Sequence, residues 1–161
     1  MPSENSNPED NTLDFKIDLN IIVRDDSYFS KEYTVKGDFI GVGTYGKVKK
    51  ALDNRINTLR AVKIIKINVT SEKDRSIAFN EIDILMKLDH PNIIKMYEYF
   101  QGSKQLYIVT ELCTGGELFE KIQIESNISE EGAKIIMKQL LLAITYLHKK
   151  GIVHRYIFGL K

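Results

Sequence analysis

Three glycines in the run Gly41-Val42-Gly43-Thr44-Tyr45-Gly46-Lys47-Val48 have the spacing of a loop that closes over a phosphate group. Glycine lets backbone amides approach an anion because no side chain stands in the way. Tight hairpins use glycine for conformational reasons alone, so the run leaves a structural hairpin and a nucleotide loop open. A dinucleotide-binding turn is disfavoured, because the last glycine leads into strand-like residues and the region about 20 positions on holds Lys66 and Ile67 instead of an acid.

Lys63 lies in an apolar stretch, where an unpaired ammonium group is costly to bury. It therefore needs an anion, unless it lies on an edge strand and extends to solvent. Glu81 is the expected protein partner, with the phosphates of a ligand as the other. Ile77, Ala78 and Leu85 stand at helical spacing from Glu81, which puts the carboxylate on a buried helix face.

Stretches rich in Ile, Val and Ala, together with turn and helix-cap signals, predict the elements that hold these groups in place. Strands are expected at about 35–42, 47–52, 59–67, 94–100 and 105–111. Helices are expected from about 71 to 88, after Gly115-Gly116, and after Ser129.

The first 34 residues are predicted to form an N-terminal extension. Residues 1–12 are polar and acidic, which indicates disorder. Residues 13–21 alternate apolar and polar side chains with the period of a strand, and we expect them along the edge of the main domain. Arg24–Ser27 is typical of a connector.

Composition favours a single domain that stays in a reducing compartment. The chain has 161 residues, a net charge of +1 and one cysteine, Cys113. The charge indicates no broad attraction to nucleic acid or to an anionic membrane. No apolar run is long enough to span a bilayer. A cytoplasmic location is expected.

Several segments in a fixed order carry a resemblance to a known family. They are Gly-Val-Gly-Thr-Tyr-Gly-Lys-Val (41–48), Arg-Ala-Val-Lys-Ile-Ile (60–65), Asn-Glu-Ile-Asp-Ile-Leu (80–85), Leu-Asp-His-Pro-Asn-Ile-Ile (88–94), Val-Thr-Glu-Leu-Cys-Thr-Gly-Gly-Glu-Leu-Phe (109–119) and Gly-Ile-Val-His-Arg (151–155). Residues of about 35 to 155 resemble the first half of a Ser/Thr protein kinase, most of all a calcium-dependent protein kinase.

The resemblance implies an α+β fold. A kinase N-lobe, a five-stranded antiparallel sheet plus one helix, is expected at about 35–112. A truncated, mainly helical C-lobe is expected at 113–161. The two together would form an incomplete kinase domain at 35–161.

The resemblance also implies a site for ATP, bound with Mg²⁺ in the family. The residues that match the family's nucleotide site are Ile40, Gly41, Val42, Gly43, Thr44, Tyr45, Gly46, Val48, Ala61, Lys63, Glu81, Thr110, Glu111, Cys113 and Glu117. The resemblance implies that Ile40, Val48 and Ala61 would form an apolar roof over adenine, and that Thr110 would be the gatekeeper. Lys63 would bind the α- and β-phosphates and pair with Glu81. Backbone groups of Glu111 and Cys113 would bind the adenine edge, and Glu117 would meet the ribose.

The catalytic loop departs from the family pattern. After His154-Arg155 the family has an aspartate, and here Tyr156 takes its place. A phenol with a pKa of about 10 cannot replace a carboxylate at neutral pH. The family's magnesium ligands are also missing from these residues. We therefore expect an ATP-binding part of a Ser/Thr kinase that is catalytically incompetent as given. The alternative is a natural half-kinase that binds nucleotide or a partner without turnover.

The long helix has an apolar face for which the sequence offers no segment to pack against. The apolar residues on this face are Ala133, Ile136, Met137, Leu140, Leu141, Ile144 and Leu147. In the family this helix is central to the second lobe, so the face at about 130–149 is expected to be exposed. An exposed stripe of this kind predicts a protein partner.

Overall fold

A computed structural model describes residues 24–43, 46–66, 72–124 and 128–154. A six-stranded sheet with the order β1-β5-β6-β4-β3-β2 forms its centre. The strands are β1 (Arg24–Asp25), β2 (Tyr33–Gly43), β3 (Gly46–Asp53), β4 (Thr58–Lys66), β5 (Met96–Gln101) and β6 (Gln105–Thr110). The helices are α1 (Asp26–Glu32), α2 (Glu72–Met86), α3 (Leu118–Ile124) and α4 (Glu130–Lys149).

The five predicted antiparallel strands are confirmed as β2 to β6. The expectation of a connector at Arg24–Ser27 is wrong. Arg24 and Asp25 pair in parallel with Phe100 and Gln101 of β5 and so add a sixth strand. The Asp25 carboxylate then caps α1 by accepting a hydrogen bond from the Ser27 amide. The strand-like segment 13–21 lies outside the described residues.

Each face of the sheet has its own apolar cluster. On the inner face, α2 packs Ala78 and Ile82 against Ile65, Leu106 and Ile108 of the sheet. Alternation along β4 turns Val62 to the opposite, outer face, which α1 covers. The sheet is therefore buried on both sides near its centre, which explains the dense apolar runs in β4 and β6.

Aromatic rings attach α1 to the outer face. The Phe29 ring stacks on Tyr107 with centroids 4.2 Å apart and on Tyr33 at 5.5 Å. It also meets Phe100 edge-on at 5.5 Å. Phe29 is 5% exposed. The residues just before the antiparallel sheet thus belong to its hydrophobic core.

A polar cluster around Arg55 joins the end of α1 to the sheet. From the turn between β3 and β4, its guanidinium donates to Asp53 at 2.8 Å, to Glu32 at 2.9 Å and to Glu98. The Tyr33 hydroxyl receives a hydrogen bond from Arg55 and donates to Glu98 at 2.5 Å. Hydrogen bonds from Arg55 hold the pKa of Asp53 below its usual value, while burial raises the pKa of Tyr33.

Helix α4 begins at a capped turn and docks on the loop before β5. Its cap is Ser129, whose hydroxyl accepts from the Gly132 amide at 3.1 Å. Near its end, the Tyr146 hydroxyl accepts from the Asp89 amide at 3.0 Å. No helix in the described part of the chain is long and apolar enough to cross a membrane.

The apolar face expected to be exposed on α4 is exposed only in part. Met137 and Leu141 are 43% and 54% exposed, and the neighbouring Leu142 is 49% exposed. Leu147, which was assigned to the same face, is buried. The expected protein partner of this face stays a prediction.

Replacing Phe29 by alanine removes the ring on which three other aromatic rings converge. We expect the free energy of unfolding to fall by about 3–5 kcal/mol, measured by urea denaturation. Tyr28→Ala is the matched control, because Tyr28 lies on the same helix and is 51% exposed. It should change stability by less than about 0.5 kcal/mol. Equal losses in both variants would contradict the assignment of α1 to the core.

Candidate functional site

A cavity of about 380 Å³ lies beneath the β2–β3 hairpin. One side is the inner face of the sheet, another is α2, and the segment after β6 closes the third. The lining residues are Ile40, Gly41, Val48, Ala61, Lys63, Glu81, Leu85, Ile94, Ile108, Thr110, Glu111, Leu112 and Cys113. Most of these are apolar, with a few polar groups among them, which is the usual chemistry of a small-molecule pocket.

The structure brings together nine of the residues singled out from the sequence. These are Ile40, Gly41, Val48, Ala61, Lys63, Glu81, Thr110, Glu111 and Cys113. Val42, Gly46 and Glu117 are not among the lining residues. Thr44, Tyr45 and Tyr156 lie outside the described residues, and Gly43 ends β2. The roles of these residues toward a nucleotide stay predictions.

Strand register explains which side chains reach the cavity. Lys63 pairs with Val48 of β3 and with Ile108 of β6, so all three side chains lie on the inner face. Two residues earlier, Ala61 pairs with Thr110. Val42 is 74% exposed, because alternation turns it to the outer face.

The pair of Lys63 and Glu81 is the main charged feature of the cavity. Lys63 Nζ lies 2.5 Å from Glu81 Oε1, as expected from the sequence. The side chains keep 26% and 35% of their surface exposed, since both face the open cavity. The ammonium has three donors, so a pair with one carboxylate leaves capacity for an anionic ligand.

The segment after β6 presents backbone groups at the cavity edge. The Glu111 amide donates to the Lys95 carbonyl at 2.9 Å, which fixes this segment beside β5. The Glu111 carbonyl accepts from the Thr110 hydroxyl at 3.2 Å and keeps a second lone pair. Among described residues, the Cys113 amide has no hydrogen-bond partner. This segment therefore keeps one backbone acceptor and one backbone donor with capacity for a further hydrogen bond.

Four lining residues were missed by the sequence reading: Leu85, Ile94, Ile108 and Leu112. Two of them carried a usable signal. Leu85 stands one helical turn after Glu81, and Ile108 stands two residues before Thr110 on the same strand face. Ile94 and Leu112 lie in irregular segments, where no periodicity predicts which way a side chain points.

The described residues do not fit a magnesium site. No group of three or more His, Cys, Asp or Glu side chains comes together in the described ranges. Of the two acids that line the cavity, Glu81 is engaged with Lys63, and the Glu111 carboxylate accepts from the Lys95 amide.

Comparison with known proteins gives consistent matches over most of the chain. The protein kinase domain family matches residues 34–157. Calcium-dependent protein kinase 5 of Plasmodium falciparum is 40% identical over 160 residues, which is 95% of this chain and 28% of that protein. A probable myosin light chain kinase of Dictyostelium discoideum is 41% identical over 116 residues, 72% of this chain and 36% of that protein.

A solved structure matches the fold. The crystal structure of Rad53 1-466 in complex with AMP-PNP superposes with a TM-score of 0.69 at 29% identity, covering 80% of this chain and 33% of that one. The chain thus spans between about a quarter and a third of the length of these relatives.

Gly46 is constrained by strand packing. A Cβ atom on Gly46 would overlap the Ile64 carbonyl oxygen and lie 3.2 Å from Ile65 Cγ1, whereas one on Gly41 meets Val48 at an ordinary 3.8 Å. We expect Gly46→Ala to lower the free energy of unfolding by about 1–3 kcal/mol. Gly41→Ala should change it by less than about 1 kcal/mol. Thermal unfolding of the two variants without ligand tests this prediction. A Gly46→Ala protein as stable as the parent would contradict the packing constraint on Gly46.

Proposed function

The chain belongs to the protein kinase family, and we propose that it is the ATP-binding part of a Ser/Thr protein kinase. The match to the family over residues 34–157 supports this proposal, as does the resemblance to calcium-dependent protein kinases. The related Rad53 structure was solved with the ATP analogue AMP-PNP.

The observation that carries the proposal is the Lys63–Glu81 ion pair inside the cavity. A lysine held by a carboxylate on a neighbouring helix stays extended along the inner face of the sheet, at hydrogen-bond distance from that carboxylate. Its remaining donors can then bind the α- and β-phosphates of ATP as charge-assisted hydrogen bonds. The β2–β3 hairpin supplies the cover, since Gly41 and Val48 lie above the same cavity.

Adenine is assigned to the apolar part of the cavity. Val48 and Ala61 form its roof, and the Glu111 carbonyl and the Cys113 amide are the available acceptor and donor at its edge. Thr110 stands at the rear, with its hydroxyl engaged on the Glu111 carbonyl. Binding an aromatic ring between apolar side chains, with two backbone hydrogen bonds, fixes both its plane and its orientation.

We further propose that these residues bind ATP without transferring its γ-phosphate. Phosphoryl transfer needs a carboxylate that orients the acceptor hydroxyl, and Tyr156 stands at that position in the sequence. A tyrosine is neutral at pH 7 and accepts a proton poorly. Loss of the base alone lowers the rate by about 10²–10⁴.

Lys63→Met tests the nucleotide site. Loss of the ammonium removes its hydrogen bonds to phosphate, so we expect the Kd for ATP to rise roughly ten- to a hundred-fold. Isothermal titration calorimetry with the full chain gives the value. Lys66→Met is the matched control, because Lys66 ends the same strand and is exposed. Its Kd should stay within about two-fold of the parent protein.

Two outcomes would overturn the assignment of this cavity to ATP. One is the absence of measurable ATP binding by the folded parent chain. The other is an equal effect of both substitutions, which would indicate a general response to lost charge.

Phosphoryl transfer is tested separately on the same preparation. With radiolabelled ATP and a mixture of basic and acidic protein substrates, we expect no transfer above a matched blank without protein. ATP binding measured in parallel shows that the site is intact. Transfer that disappears in the Lys63→Met variant would contradict catalytic incompetence while leaving the nucleotide site in place.

A further inference from the structure

The outer face of the β2–β3 hairpin carries an exposed aromatic ring between two lysines. Phe39 is 46% exposed. Lys47 Nζ lies 4.5 Å from the centre of its ring, and Lys49 Nζ lies 4.6 Å from it. We call these three residues the Phe39 face.

Strand register separates the Phe39 face from the cavity. Phe39 pairs with Lys49, and Lys47 stands two residues before it on the same side of β3. Val48, between the two lysines, turns inward and lines the cavity. Lys50 pairs with Lys36, and alternation puts both on the side opposite the Phe39 face. The Phe39 face and the cavity therefore lie on opposite sides of this hairpin.

The Phe39 face has an excess of positive charge at short range. Both ammonium groups share one ring, and a ring quadrupole offsets only part of one cation's charge. Within the described ranges neither lysine has a carboxylate within ion-pair distance, in contrast to Lys63, Lys95 and Lys134. An incoming anion would therefore be attracted by both lysines.

The distance between the two lysines along β3 indicates how far apart the negative charges of a ligand should lie. Residues two apart on a strand are separated by about 6.6–6.8 Å. A second extended chain with acidic side chains at alternate positions has the same repeat. The Phe39 ring then contacts the side-chain stems of these alternate glutamate or aspartate residues. Two cations are too few for a strong polyelectrolyte site of the nucleic-acid kind.

We propose that the Phe39 face is a docking surface for an extended acidic segment of a partner protein, with carboxylates at alternate residues. The segment lies across Phe39 and pairs one carboxylate with Lys47 and another with Lys49. The contact is separate from the nucleotide cavity and does not depend on the proposed function.

The test uses the full chain and a labelled eight-residue peptide in which glutamate alternates with serine. Fluorescence anisotropy at low ionic strength reports binding, because exposed ion pairs are screened by salt. We expect the Lys47→Gln/Lys49→Gln variant to bind the peptide at least about five-fold more weakly than the parent. Lys36→Gln/Lys50→Gln is the matched control, since it removes two charges from the same strands on the opposite face. It should bind within about two-fold of the parent.

Phe39→Ala measures the contribution of the ring to peptide binding, because it leaves both lysines in place. We expect it also to weaken peptide binding, because the two ammonium groups lose the ring that orients them. Thermal unfolding of each variant shows whether it remains folded.

Four results would overturn the proposal. If both double lysine variants weakened peptide binding equally, the peptide would be responding to the net charge of the protein alone. Equal binding of a peptide with glutamine in place of glutamate would exclude the ion pairs. Complete displacement by millimolar inorganic phosphate would assign the face to small anions. No binding to the folded parent chain would exclude the docking surface itself.

Discussion

The two-sided burial of the central strands is the constraint on which the rest of this structure depends. β4 and β6 must be covered on both faces, and each face is covered by a different helix. Helix α2 covers the inner face with apolar side chains and also brings Glu81 to Lys63. Without that carboxylate, the ammonium beside Ile108 and Val48 would lose its charged partner on a mostly apolar face. Packing and the charged pair thus fix the same helix in the same position, and the cavity exists because α2 is held there.

Much of the antiparallel sheet could be predicted from the sequence because its strands are rich in apolar, β-branched residues and end at clear turns. The contact of Lys63 with Glu81 was also predictable, since one lies in an apolar run and the other on a helix with apolar neighbours at spacings of three and four. The added strand β1 was not predictable by such means. It has two residues, and its pairing with Phe100 and Gln101 is a tertiary contact. A capping aspartate at Asp25, with Phe29 and Tyr33 four residues apart, was the available signal for α1.

The glycine loop shows how one residue type can serve two physical needs. From the sequence alone, Gly41, Gly43 and Gly46 were compatible both with a tight hairpin and with close approach of a phosphate. In the structure, Gly46 lacks room for a side chain because the β4 backbone lies against it. Gly41 has no such restriction. Sequence spacing could not separate these cases, because strand packing and phosphate approach both favour the absence of a Cβ atom.

The Arg55 cluster bears on where this lobe begins. The family match starts at residue 34, yet Tyr33, Glu32 and Phe29 are bound to the sheet through the guanidinium and the stacked rings. A fragment cut at that boundary would leave the Phe100 and Tyr107 rings open to water on the outer face. It would also leave Arg55 without two of its partners. For expression or crystallisation, the physical edge of the lobe therefore lies at or before Arg24, at least ten residues upstream of the boundary drawn from family likeness.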